Sequence, residues 1–180
     1  SSLTLDGGTS GVDAFNIAGD NVQLKNLYIV GGFDEGVVVG TGADGTLISA
    51  VSVGVTSGLS LDGVNGNGFE IYGTNTSMSS VTSGGNGGSG VVFDGASDFT
   101  FSNSTVGGSF SDLGNTSHGI LLDGAISGTN TINGSNIKYN DGDGIRIGSS
   151  GSKSGTLNIY GNGIGSTSSS GNGGSGINGL

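Results

Sequence analysis

Apolar side chains recur along this chain in one frame, written six times. Two apolar residues, each followed by a free position, lead into a Gly, Asn or Ala. Two further inward positions follow, with one free position between them. The copies read Val22-Leu24-Asn26-Leu27-Ile29, Thr46-Ile48-Ala50-Val51-Val53 and Phe69-Ile71-Gly73-Thr74-Thr76, then Phe99-Phe101-Asn103-Ser104-Val106, Asn130-Ile132-Gly134-Ser135-Ile137 and Leu157-Ile159-Gly161-Asn162-Ile164. Alternation with period two marks a half-buried strand. The Gly or Asn midway tolerates a left-handed backbone, so the frame predicts two short strands meeting at a sharp corner. A further strand precedes each frame, at Phe15-Ile17, Val37-Val39, Leu59-Leu61, Val91-Phe93, Ile120-Leu122 and Ile145-Ile147, and a seventh begins at Ile177. From Val37 onward each follows directly on a glycine: Gly36, Gly58, Gly90, Gly119, Gly144 and Gly176.

Three strands of a few residues cannot enclose a core. Stacking such units gives every strand a parallel neighbour above and below, and buries one row of side chains per strand. The expected fold is all-β, a right-handed parallel β-helix of about six to seven coils, because parallel crossovers are almost always right-handed. Residues 1–180 are read as a single β-helix domain, a segment or subunit of a longer rod. The interior column Leu27, Val51, Thr74, Ser104, Ser135, Asn162 turns from apolar to polar along the axis. Its polar members are expected to hydrogen-bond within the column or to corner backbone, since unpaired buried hydroxyls cost about 1–3 kcal/mol.

Composition narrows the class. There are 42 Gly in 180 residues, with no Pro and no Cys. A helical Gly costs about 1 kcal/mol against Ala, which excludes long helices. The missing Pro excludes collagen, and the registered apolar positions exclude a flexible linker. No apolar run approaches the roughly 20 residues that cross a bilayer, so no membrane span is expected. Four Lys and Arg against fourteen Asp and Glu, a net charge of −10, are too few cations for nucleic acid. The absence of Cys removes thiol catalysis, disulfides and zinc ribbons. Few charges and many Gly, Ser, Thr and Asn suggest an extracellular or cell-surface protein.

Segments such as Gly19-Asp20-Asn21-Val22-Gln23-Leu24-Lys25-Asn26-Leu27 and Asn140-Asp141-Gly142-Asp143-Gly144-Ile145-Arg146-Ile147 resemble the right-handed parallel β-helix superfamily. That group contains pectate lyases, polygalacturonases and phage tailspikes, and the resemblance covers nearly the whole chain. It implies a fold more than an activity, because the group hosts enzymes, adhesins and inert rods. Its enzymes work with clustered carboxylates, often with calcium and a basic residue. The matching set is Asp62, Asp94 and Asp123, each in an Asp-Gly turn after a first strand and expected in one column about 4.8 Å apart. Charges that close repel by about 1 kcal/mol even in water. Each carboxylate therefore caps its own turn, or calcium bridges the column, or the set is catalytic. Arg146 is expected to point outward, one coil beyond Asp123, either as its ion-pair partner or as a lyase-type base. Arg146 and Asp123 are thus the catalytic candidates, with Lys153 the nearest second cation. Ser117-His118-Gly119 and Arg146-Ile147-Gly148 depart from the polygalacturonase motifs, and His118 is read as a solvated loop residue. The run 140–144 is read as a corner turn, and four Asn sequons as chance matches.

The loops 77–90, 107–119 and 165–176 are long, and two carry an identical Gly-Asn-Gly-Gly-Ser-Gly. They are expected to leave one corner of the prism, as covers or as ligand contacts. The outward first-strand positions Asn16, Val38, Ser60, Val92, Leu121 and Arg146 form a partly apolar stripe. Leu3, Leu5 and Gly7 fit the frame as a second strand and corner, while Ile177 to Leu180 begin a first strand. Leu3, Leu5, Ile177 and Leu180 are therefore the expected interface, through which copies stack head to tail and complete one coil. The expected function is a non-catalytic extracellular structural or adhesive module, a filament subunit or surface stalk. The alternative is a polysaccharide lyase or glycoside hydrolase of the pectate lyase-like type, with a polysaccharide as partner.

Overall fold

The computed structural model describes residues 3–108, 113–165 and 171–179. The chain winds as a parallel β-solenoid of about six turns. In chain order, β1 (Leu3–Asp6) leads into β2 (Phe15–Ile17) and β3 (Gln23–Val30), then β4 (Val37–Val39) and β5 (Leu47–Val53). The next coil holds β6 (Phe69–Ile71), β7 (Ser77–Ser79) and β8 (Thr82–Ser83). Then come β9 (Val91–Asp94), β10 (Thr100–Ser102) and β11 (Thr105–Gly107), followed by β12 (Ile120–Asp123), β13 (Thr129–Asn133) and β14 (Asn136–Lys138). The last described strands are β15 (Ile145–Ile147), β16 (Thr156–Tyr160), β17 (Gly163–Ile164) and β18 (Ile177–Asn178). First strands build one seven-stranded parallel sheet, in the order β18-β15-β12-β9-β6-β4-β2. Second and third strands share the other sheet, because β3 and β5 run unbroken through their corners.

Every corner sits at the fifth position of the repeat frame. Asn26 (φ 58°), Ala50 (53°), Ser80 (54°), Asn103 (49°), Gly134 (61°) and Gly161 (66°) all take the left-handed backbone. That series corrects the third copy. Phe69-Ile71 is a first strand, in register with Val37–Val39 and Val91–Phe93. The frame there is Thr76-Met78-Ser80-Val81-Ser83, and Thr74 gives way to Val81 in the interior column. Leu59-Leu61 belongs to no coil. It lies in an insertion closed by an antiparallel bridge between Val55 and Leu61, and Leu59 is 57 % exposed. Alternation reveals which face a residue takes but not which sheet, so Phe69-Glu70-Ile71 before Gly73 mimics a second strand.

The true glycine before β6 is Gly68, not Gly58. At Gly36, Gly68, Gly90, Gly119 and Gly144, a Cβ would lie under 3.0 Å from the carbonyl oxygen of the next coil's glycine. Coils approach too closely along this column for any side chain. The N-terminal expectation also changes: β1 pairs with Leu27–Val30, so it is a third strand rather than a second. Its alternation fits either place. The chain's two ends set together would supply a first and a third strand and leave a second-strand place open. Leu180 and parts of the loops 107–119 and 165–176 lie outside the described residues. Residues expected at the start of a loop at 77–90 instead form β7 and β8.

The interior is apolar on one side and amide-lined on another. Phe93 and Phe99 stack with ring centroids 3.8 Å apart, and Phe101 meets Phe93 edge-on at 6.4 Å. Full burial of such a ring contributes about 1.5–3 kcal/mol. The polar members of the corrected column are bonded as expected. Ser104 Oγ donates to Ser102 O and accepts the Val81 N–H, while Ser135 Oγ donates to Asn133 O and accepts the Ser104 N–H. Asn162 Oδ1 accepts the Ser135 N–H at 2.9 Å. A second ladder was not anticipated. Asn86 Nδ2 donates to Asn115 Oδ1 (2.8 Å), Asn115 Nδ2 to Asn140 Oδ1 (2.8 Å) and Asn140 Nδ2 to Asn172 Oδ1 (2.9 Å). Its signal is present in the sequence: each Asn stands four residues before a first-strand glycine, Gly90, Gly119, Gly144 or Gly176.

Candidate functional site on the first-strand face

The outward row of the first-strand sheet follows from its register: Asn16, Val38, Glu70, Val92, Leu121, Arg146 and Asn178. Glu70 replaces the expected Ser60, which lies in the insertion. Val92 is only 6 % exposed, while Val38 and Leu121 are half-buried. A second polar row stands just before the glycine column: Glu35, Asn67, Ser89, His118, Asp143 and Ser175. The two rows form the polar clusters of this face.

At one end, Asn67 ties two carboxylates together. Its N–H donates to Glu35 Oε2 and its Nδ2 donates to Glu70 Oε1 at 3.1 Å. Burial pushes Glu35 up to about 7; the Asn67 N–H opposes this, and Glu70, Asp34 and Asp13 add to it. Burial also pushes Tyr72 up to about 12, with the charge and hydrogen bond of Glu70 reinforcing it. Near neutrality, then, Glu35 takes up a proton far more readily than an ordinary carboxylate, and the Tyr72 phenol keeps its proton. Alternation alone places Glu70 off this face, because Phe69-Glu70-Ile71 fits a second strand as well as a first.

At the other end, Asp143 is a buried hub. Its Oδ1 accepts the Ser175 N–H at 2.7 Å, and its Oδ2 accepts Arg146 Nη1 and Asn178 Nδ2, both at 3.1 Å. Burial alone would raise this carboxyl, but those donors outweigh it and hold it below the usual carboxylate range. Arg146 does point outward, and its partner is Asp143 rather than the expected Asp123. His118 is half-buried rather than solvated, and its Nδ1 accepts the Asp143 N–H at 2.9 Å. An accepting Nδ1 carries no proton, so the ring is neutral and the 3.7 Å approach of Nδ1 to Asp143 Oδ2 is no ion pair. Burial lowers the His118 pKa, the Asp143 charge opposes this and Arg146 reinforces it. With its proton on Nε2, this imidazole offers a donor to the surface, not a base.

Of the expected aspartate column, two members meet. Asp94 and Asp123 are direct ladder partners. Tyr72, following Ile71, takes the place one coil earlier. Asp62 stays in the insertion, where its N–H donates to Gly54 O and its carbonyl accepts the Gly31 N–H. The Ser150 hydroxyl donates to Asp123 Oδ1 and is the main reason this carboxyl lies below its ordinary range. Lys153 Nζ binds two backbone carbonyls, Gly124 O at 2.6 Å and Ser150 O at 2.5 Å. Among the described residues, no group of three or more His, Asp or Glu is placed to hold a metal ion. A cation between Asp94 and Asp123 would find two carboxylates, whereas calcium takes six to eight oxygens. Of the expected interface residues, Leu3 is 66 % and Ile177 49 % exposed, while Leu5 packs against the core. Comparison with protein-family models, curated proteins and solved structures gives no match.

Proposed function

We propose that the chain is a non-catalytic structural or adhesive module of the cell exterior, stacking on further copies as a rod or stalk. Support comes from the end ladders. Among the described residues, β1 pairs only with β3, β17 only with β14 and β18 only with β15. These strands stand beside exposed Leu3 and Ile177, where a further coil, of the same chain or of another copy, would pair. Strand edges template another parallel coil, and a head-to-tail contact does not close on itself. Imaging the purified chain by electron microscopy tests this. Rods of constant width support stacking, and compact particles of one size oppose it.

A second reading, the glycoside hydrolase or polysaccharide lyase of the pectate lyase-like superfamily, is favoured by the Glu35 and Glu70 pair. A carboxyl group pushed up to about 7 beside a second carboxyl group suits general acid chemistry. The rod reading ranks first because Asn67 binds both carboxylates internally. Incubation with neutral and uronate polysaccharides, scored by release of reducing ends, separates the two. Turnover that Glu35→Gln abolishes would install the enzyme reading.

A further inference from the structure

One position before the first-strand glycines, side chains reach along the axis to the backbone of the next coil. Glu35 Oε2 accepts the Asn67 N–H, and Asn67 Oδ1 accepts the Ser89 N–H at 2.7 Å. Farther on, His118 Nδ1 accepts the Asp143 N–H at 2.9 Å, and Asp143 Oδ1 accepts the Ser175 N–H at 2.7 Å. Each link satisfies a backbone donor that burial would make costly to leave unpaired. The links differ in how they respond to acid. An amide oxygen does not titrate in this range, and a carboxyl keeps an acceptor oxygen whether ionised or protonated. A neutral imidazole has one acceptor nitrogen and loses it on protonation. His118, the single histidine of the chain, is thus the conditional link.

The surroundings of Asp143 decide what protonation does next. Each carboxylate oxygen has about two acceptor sites, and Oδ2 already takes Arg146 Nη1 and Asn178 Nδ2, both at 3.1 Å. His118 Nδ1 stands 3.7 Å from that same oxygen. Protonation turns Nδ1 from acceptor to donor, so the ring loses the Asp143 N–H and competes for Oδ2. The Arg146 side chain is 43 % exposed and regains water on release, whereas Asn178 is held in place by strand pairing. The charged groups acting on the ring are Asp143 and Arg146. Asp141 is the other ionisable residue of that turn, and residues 86–90, 113–117 and 171–178 bring none.

We propose that His118 is an acid-operated latch between coils: its protonation cuts the link to the Asp143 N–H, draws the Asp143 carboxylate to the imidazolium and frees Arg146 at the surface. Burial lowers the imidazole pKa from 6.5, Asp143 opposes this and Arg146 reinforces it. The closed latch therefore stabilises the coils above pH 6.5, and that contribution is lost as pH falls through the lowered pKa. The segment 171–178, held by both oxygens of Asp143, is then the first to loosen. The latch works in a rod module and in an enzyme alike.

The test is NMR of the whole chain, titrated from about pH 8 to about pH 5. With one histidine in the chain, the imidazole nitrogens report His118 alone. At the alkaline end they are expected to show a neutral ring with its proton on Nε2. On acidification the amides of Asp143, Ser175 and Asn178 and the Arg146 guanidinium should shift with the same midpoint as the ring. Corrected for the intrinsic rate, hydrogen exchange at Asp143 should then be about fivefold faster, the factor carried by one lost hydrogen bond. His118→Gln, whose amide oxygen accepts at every pH, should abolish these responses. The proposal falls if the native ring titrates while those amides stay still, or if its neutral form carries the proton on Nδ1. It falls equally if His118→Gln responds to acid as the native chain does.

Discussion

The two outward faces of this solenoid spend their polar groups differently. On the first-strand face, Glu35, Glu70, Asp143, Arg146 and Asp123 are bound to neighbouring side chains or backbone. On the third-strand face, the outward row by register is Thr4, Tyr28, Ser52, Thr82, Thr105 and Asn136, all uncharged, and Leu59 stands near Tyr28 in the left-handed backbone. Ionic groups need partners once neighbouring coils desolvate them, so they seal their own face. Neutral hydroxyls cost less to desolvate than charges, and several in this row are only half-buried. Charge therefore serves cohesion along the axis here.

The largest effect should come from breaking the sealed face at its hub. Asp143→Ala removes the acceptor of Ser175, Arg146 and Asn178, and should lower stability by about 1–3 kcal/mol, read by denaturant melts. Hydrogen exchange should then quicken first in β18. On the third-strand face, Leu59→Gly relieves the left-handed strain and should raise stability by about 1 kcal/mol in the same melts. Smaller still are two pH effects of opposite sign. Glu35 has its pKa raised from 4.5 to about 7, so its contribution is fully present below pH 4.5 and lost as pH rises through 7. Glu35→Gln should therefore raise the melting temperature at pH 8 and have little effect at pH 4. His118 has its pKa lowered from 6.5, so its contribution is present above pH 6.5 and lost as pH falls. His118→Gln should narrow the acid loss. The smallest effect concerns calcium. With Asp94 and Asp123 alone in the column, added calcium should leave the melting curve in place, and a rise that Asp94→Asn abolishes would show that a cation bridges the pair.

Much of the coil was legible from residue order. The frame, the left-handed corners and the glycine before each first strand give the coil, because each is forced by local sterics. The failures have one physical root. Period two says which side chains share a face but not which sheet they join, so Phe69-Ile71 passed for a second strand and Leu3-Leu5 for another. Leu59-Ser60-Leu61 after Gly58 passed for a first strand, although Leu59 is left-handed and 57 % exposed. That slip carried Asp62 into the carboxylate column, Ser60 into the outward row and Thr74 into the core, and it hid Glu70. Ser80 concealed the true corner because serine seldom takes that backbone. The asparagine ladder was readable as Asn four residues before glycine, a spacing that apolar periodicity does not weigh. The link from His118 to Asp143 was beyond reach, since it depends on how two loops stack along the axis.

The proposed rod requires that the end coils stack on further copies. Sedimentation velocity over a hundredfold range of concentration tests it most directly. The expected result is a series of species growing in mass at constant width, reduced to monomer when Leu3→Lys and Ile177→Lys are combined without change in the β-sheet circular dichroism. A single monomeric boundary across the whole range for the unaltered chain would contradict it.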